Sequence, residues 1–228
     1  MASPPTRPAL RERYERRRQE VVDTAAEVFA RQGYQETSVS DLSAATGIAT
    51  GGLYHYIGSK ERLLVAVLDD LMEPLLERAG QIVAAGAPPE EELRTLVRAW
   101  VEHIAAHHAH MLVFGQERHV IEREPQWRRI RSSRKRFERL LDGVLERCER
   151  EAGHRFADRR LTLLALLGMV NHAAQWYTPR GRLAPEEVAD GFCDLVLGVS
   201  SSPRPPDGDG AARRAGPHAG PSARPPSG

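Results

Sequence analysis

The chain has 228 residues, 41% of them apolar, which is enough to bury a core and to build one large or two modest domains. Its 32 Lys and Arg against 31 Asp and Glu leave a net charge of +1, so the overall balance neither requires nor forbids a nucleic-acid partner. No apolar run of about eighteen residues exists, arginine and proline stand where a signal peptide carries its apolar stretch, and Cys148 and Cys193 lack metal-type spacing. A reduced, cytoplasmic protein without a membrane span is expected.

Residues 1–10 are proline-rich and are expected to form a disordered arm. Residues 1–18 hold six arginines against two glutamates, a charge that either reaches phosphates or is simply solvated. Val21, Val22, Ala25, Val28 and Phe29 recur at helical spacing and predict a long first helix ending at Gly33. Residues 36–63 then read as a helix-turn-helix followed by a third capped helix. Leu42, Ile48, Leu53 and Tyr56 fall where two short crossed helices need core residues, with Ser43 small enough to let them approach. Gly47 falls where the turn between them needs a left-handed residue. Ser59 can cap the next helix, which places Lys60 in its first turn, and Leu63, Leu64, Val67, Leu68 and Leu71 continue it.

Further breaks at Gly58, the Gly86–Pro89 segment, Glu124-Pro125, Gly153 and Thr178–Gly181 give about nine helices and no convincing strand. An all-α chain is predicted, with a helix-turn-helix DNA-binding domain over 11–59 and a further helical domain over 60–200. Residues 201–228, dense in proline, glycine and arginine, are expected to be a disordered tail.

The tight turn holds the second helix at an angle that lets it enter a major groove. Thr50, Gly51, Gly52, Tyr54 and His55 are assigned to the surface of that recognition helix, with Thr37 and Lys60 beside the DNA backbone. The glycines permit close approach, Tyr54 and His55 supply hydrogen bonds, Lys60 serves as a phosphate point charge, and Leu53 and Tyr56 point inward.

Two other constellations carry open readings. The basic run from Trp127 to Phe137 includes Arg131 and Arg134, whose guanidinium forks suit phosphate oxygens, but a solvated helix face has the same pattern. His103, His107 and His110 share a helix face and, with His108 or His119, could ligate zinc, or they line a pocket or solvent. No nucleophile elbow, phosphate loop or His-Glu-x-x-His is present, so neither an enzyme nor a cofactor is expected.

Taken together, Arg31-Gln32-Gly33-Tyr34, Thr37–Leu42, Gly51-Gly52-Leu53-Tyr54-His55-Tyr56 and Ser59-Lys60-Glu61 resemble the tetracycline-repressor-like (TetR) family of bacterial transcription regulators. Ile57 departs from the family's usual phenylalanine, and Ala49 from its frequent serine. The resemblance implies that residues 60–200 are a ligand-binding effector and dimerisation domain, in a homodimer whose last two helices pair with the partner's, binding an inverted-repeat operator and repressing by default. Leu161, Leu164, Ala165, Gly168, Met169, His172 and Trp176 form one broad face, and Val188, Phe192, Leu195 and Val199 another; intramolecular core would show the same pattern. The segments 110–118 and 168–192 resemble a subgroup controlling fatty-acid or steroid breakdown, whose members sense acyl-CoA thioesters. That likeness implies a ligand site including Phe114, Arg118, Asn171, His172 and Trp176, to which Arg131 and Arg134 of the basic run would add a grip on the coenzyme's phosphates, with His172 and Trp176 equally suited to the dimer interface. A metal- or drug-responsive repressor is the alternative.

Overall fold

The computed structural model describes residues 8–117, 127–177 and 181–198, and among these the secondary structure is nine α-helices. They are α1 (Pro8–Gln32), α2 (Val39–Thr46), α3 (Thr50–Ile57), α4 (Lys60–Ala84), α5 (Pro89–Ala106), α6 (His108–Gln116), α7 (Arg128–Glu151), α8 (Arg159–Trp176) and α9 (Pro185–Leu197). Residues 8–10, expected in the arm, form the first turn of α1, with Pro8 at the position where its missing N–H costs nothing. The breaks expected at Glu124-Pro125 and at Thr178-Pro179-Arg180 lie outside the described residues, as does Val199.

Local chemistry sets the ends of the short helices. Ser38 Oγ accepts from the Asp41 amide at 3.1 Å while Asp41 Oδ2 accepts from the Ser38 amide at 2.8 Å, a reciprocal cap that opens α2. The hydrogen bond that Asp41 Oδ2 accepts from the Ser38 hydroxyl at 2.7 Å, and then the one from the Ser38 amide, hold the Asp41 carboxyl below its ordinary range. Gly47 ends α2 at φ 66°, in the left-handed region. Ser43 does more than leave room: its hydroxyl donates to the Ile48 carbonyl at 2.6 Å and so closes the turn. Ser59 caps α4 by accepting from the Arg62 amide at 3.2 Å, and Asp158 caps α8 by accepting from the Leu161 amide at 3.0 Å.

The core of the head joins Val22, Ala26 and Phe29 of α1 to Leu42, Leu53 and Ile57, all buried. Ile57 thus keeps the packing expected of an apolar residue there. Tyr56 is only half-buried, and its ring stacks on Tyr14 with centroids 5.2 Å apart. This core is continuous with that of the second domain, because α1 packs along α4 and α6.

In the second domain, α5 lies between α4, α7, α8 and α9. Arg98 grips both carboxylate oxygens of Asp190 at 2.8 and 2.7 Å, and Arg94 reaches Asp194 at 2.5 Å, which fixes α9 against α5. Cys148 and Cys193 are free and fully buried, and burial pushes their thiols up to about 11 and about 12.

The glycines differ in what they require. A Cβ at Gly47 or at Gly51 would meet nothing within 4 Å, but only Gly47 has a positive φ. Gly47→Ala should therefore lower stability in urea by about 1 kcal/mol. Gly51→Ala, in ordinary helical backbone, should raise it by about 0.5 kcal/mol in the same measurement.

Candidate nucleic-acid interface and effector cavity

On α3, Leu53 and Ile57 face the core, so helical periodicity leaves Thr50, Gly51, Gly52, Tyr54 and His55 on the outside. All five are exposed. The Tyr54 ring is free of the ring contacts that hold its neighbours, whereas His55 meets Tyr14 and Tyr56 edge-on at 5.6 and 5.5 Å. Gly52 has an internal reason to be glycine, since a Cβ would come within 3.2 Å of Ile48 Cγ2. Gly51 has none, and its freedom is available to an approaching duplex. Ala49 offers α3 no side-chain cap, so the first-turn amides have no side-chain partner.

Thr37 and Lys60 do not join this surface. Thr37 is 1% exposed; its hydroxyl donates to the Gly33 carbonyl at 2.7 Å and accepts from Gln32 Nε2 at 3.1 Å. Lys60 Nζ donates to the carbonyls of Tyr34 at 2.9 Å, Gln35 at 3.2 Å and Thr37 at 2.9 Å, and lies 4.5 Å from the Tyr34 ring centroid. An ammonium has three N–H donors and all three meet carbonyls, so Lys60 ties α4 to the loop from α1 to α2. Burial beside this tether pushes the Tyr34 phenol up to about 12.

A cavity of about 640 Å³ lies between α4, α5, α6, α7 and α8. Leu71, Met72, Leu75, Trp100, Phe114 and Phe137 supply apolar wall, while Asn171, His172, Gln175 and Gln116 supply hydrogen-bonding groups. Arg134 is the one guanidinium in the lining among the described residues, with Glu138 3.4 Å away. A few polar groups set in an apolar wall of this volume suit a small organic ligand.

Of the expected ligand residues, Phe114, Arg134, Asn171 and His172 line the cavity. Arg118, and the supplementary His119, lie outside the described residues. Arg131 sits one turn before Arg134 on α7, beyond the lining. Trp176 is not in the lining either: it is 48% exposed, and its ring meets Phe192 at 6.3 Å on the outer surface. Sequence reasoning placed Leu71 in an unspecified core and passed over Met72, Leu75 and Trp100; a cavity wall and a solid core share one hydrophobic pattern.

The histidine row is not arranged as a zinc site. His103 Nε2 donates to the Leu71 carbonyl at 2.7 Å, His107 Nδ1 lies 3.0 Å from the His103 carbonyl and His108 Nε2 lies 2.8 Å from that of Ala174. Among the described residues, the metal-compatible group is Asp23, Asp70 and His110. His103 belongs to the cavity wall, where burial, then the neighbouring His107, holds its pKa down at about 4.

The cavity and the head are in direct mechanical contact. Gln116, in the lining, donates from Nε2 to the Ala30 carbonyl of α1 at 3.2 Å, and the buried Glu117 faces the Tyr34 amide at 3.4 Å.

A helix-turn-helix head whose third helix presents an open polar face, set on a helical body, defines the class of helix-turn-helix transcription regulators. Residues 21–67 match the bacterial regulatory proteins of the tetR family, and residues 86–199 match the tetracyclin repressor-like C-terminal domain. The HTH-type transcriptional repressor KstR2 of Rhodococcus jostii RHA1 is 31% identical over 189 residues, 82% of this chain and 92% of that protein. The structure of the ketosteroid transcriptional regulator KstR2 of Mycobacterium tuberculosis superposes with a TM-score of 0.73 at 30% identity, over 80% of this chain and 93% of that one. AibR in complex with isovaleryl coenzyme A and operator DNA gives a TM-score of 0.69 at 26% identity, over 79% and 98%. The chain belongs to the tetR family of bacterial regulatory proteins, and it is a DNA-binding transcription regulator rather than an enzyme.

Two outcomes follow from the geometry. Lys60→Met should cost about 2 kcal/mol in urea denaturation, and Lys60→Arg should not restore it because a planar fork cannot converge on three carbonyls. For His103 the unfolded chain takes up its proton near the ordinary 6.5 and the folded chain only near 4, so stability is full above 6.5 and falls between 6.5 and 4. Melting curves of His103→Gln should drop less than those of the parent between pH 7 and pH 5.

Proposed function

We propose that this chain is a repressor that binds an inverted-repeat operator as a homodimer through α3 and is released by an acyl-CoA thioester. The observation that carries the effector reading is the cavity, apolar over most of its wall and bearing Arg134 beside Glu138 together with a few hydrogen-bonding side chains. An acyl or alicyclic group fits the apolar part, and Arg134 offers a charge for the phosphates of the coenzyme. The relatives support the same chemistry, since KstR2 is a ketosteroid regulator and AibR was crystallised with isovaleryl coenzyme A.

The homodimer reading rests on what one chain leaves uncovered. Leu161 is 64% exposed, Leu195 71%, and Leu164 and Trp176 about half, a contiguous set on α8 and α9. The opposite side of α8, Leu163, Leu166, Val170 and Ala173, fills the core of the chain itself. Leu164, Gly168 and His172 belong to both the open face and the cavity lining, so a partner laid on α8 would also wall the cavity. Two heads so joined read half-sites separated by whole turns of DNA, about 34 Å each.

Release requires the effector to favour a head spacing that does not fit the operator, and a difference of about 3 kcal/mol changes affinity over a hundredfold. Two helices are placed to transmit it: α4, which lines the cavity at Leu71 and Leu75 and begins at the Lys60 tether, and α6, whose Gln116 touches both cavity and α1.

The test is operator binding, by gel shift on an inverted repeat from the chain's own promoter region, titrated with CoA thioesters of graded acyl size, free CoA and the free acids. One thioester class should release the DNA, and Arg134→Ala should weaken that class more than the free acid. Gly51→Ala, although more stable, should bind the operator less tightly. Release by free acids and thioesters alike, unchanged in Arg134→Ala, would overturn the coenzyme reading; undiminished binding by Gly51→Ala would remove α3 from the interface.

A further inference from the structure

His110 is the buried residue of α6 that neither the fold nor the cavity explains. Its side chain is 8% exposed, and Nε2 is buried with no hydrogen-bond partner among the described residues. A buried ring nitrogen left without a partner costs free energy and calls for an explanation. What faces it is acidic: Asp23 of α1 has Oδ1 at 3.6 Å, and donor atoms of Asp23, Asp70 of α4 and His110 all lie within 4.8 Å of one another.

The 3.6 Å separation is too long for a hydrogen bond but fits two ligands of one ion, because a tetrahedral ion with bonds of about 2.0–2.1 Å holds its donors about 3.3 Å apart. Gln19 supplies a second pointer. Its side-chain amide sits between the two carboxylates, with Nε2 donating to Asp23 Oδ1 at 3.1 Å and to Asp70 Oδ2 at 2.6 Å, a place a cation would also occupy. With an ion in that place, the amide turned over and drawn back would present Oε1 as a fourth ligand. Neither carboxylate is paired with an arginine or lysine among the described residues, so their charge is left to this centre. Asp23 is about half exposed and gives an ion a way in, while His110 forms the floor.

From these contacts we infer that Asp23, Asp70 and His110, with Gln19, form a binding site for a divalent transition-metal cation of the zinc type. One nitrogen and two or three oxygens suit zinc and the first-row ions near it rather than calcium or magnesium. The ligands come from α1, α4 and α6, so an ion there bolts the head directly to the two helices that line the cavity. The site is independent of which effector fills that cavity.

The experiment uses the untagged full chain stripped with chelator and titrated with Zn²⁺ by calorimetry, with thermal melting alongside. One equivalent should bind per chain, and excess Zn²⁺ should raise the melting temperature by about 5 °C or more. Asp23→Asn, a partly exposed substitution that leaves the core intact, and Asp70→Asn should each weaken uptake more than about tenfold. His110→Gln should abolish it, and His107→Gln should leave it unchanged. Absence of saturable uptake, or uptake lost in His107→Gln and kept in Asp23→Asn, would overturn the assignment.

Discussion

The Lys60 ammonium, held by three carbonyl oxygens beneath the Tyr34 ring, is the contact on which the arrangement of head and body depends. The loop from α1 to α2 would otherwise expose carbonyls with no helix to satisfy them, and a charged donor at its centre fixes three at once. Because Lys60 is also the first residue of α4, the loop that positions α2 and the helix that lines the cavity share one atom. Ser59 immediately before it sets where α4 begins, so a short Ser-Lys pair determines both the start of the long helix and its attachment.

The continuity of the core follows from this attachment. Phe29 and Tyr34 pack in one cluster with Leu64 and Leu68, and the same cluster runs on to Trp100 and Phe137 at the cavity. A close-packed interior transmits displacement because it has little free volume to absorb it. The cavity is the exception, and two of the helices that wall it, α4 and α6, hold α1 on their other side. Glu117 and Gln116 lie at that passage, one buried beside the Tyr34 amide and the other bonded to the Ala30 carbonyl.

Much of the head was legible in the sequence because each of its devices is local. Gly47, Ser59, Leu53 and the spacing between them state their conformations within a few residues, and α3 presents the face expected of it. The exposed side of α8 was legible as a face, although only the structure shows that the chain itself leaves it open. What could not be read was long-range. Lys60 reaches a loop 23 to 26 residues away, so its carbonyl partners could not be read from a first-turn lysine. Trp176 and Asn171 stood in one motif, yet helical rotation places Asn171 in the cavity and Trp176 on the surface. His110 appeared beside His103 and His107 by spacing, while its nearest acidic neighbours come from helices 40 and 87 residues earlier in sequence.

The two buried thiols give the molecule a built-in reporter. A thiol that is fully enclosed and whose ionisation is displaced to about 11 or 12 presents almost no thiolate to an alkylating reagent at neutral pH. Cys148 sits on α7 near the far end of the body, and Cys193 sits on α9 behind the arginine clamps from α5. Labelling of either must wait for its helix to lift, so the modification rate at Cys193 measures how often the outermost helix opens, and that at Cys148 how often the body does. At its cysteines the resting protein is correspondingly slow to react: their chemistry is latent, and is released only by loss of structure.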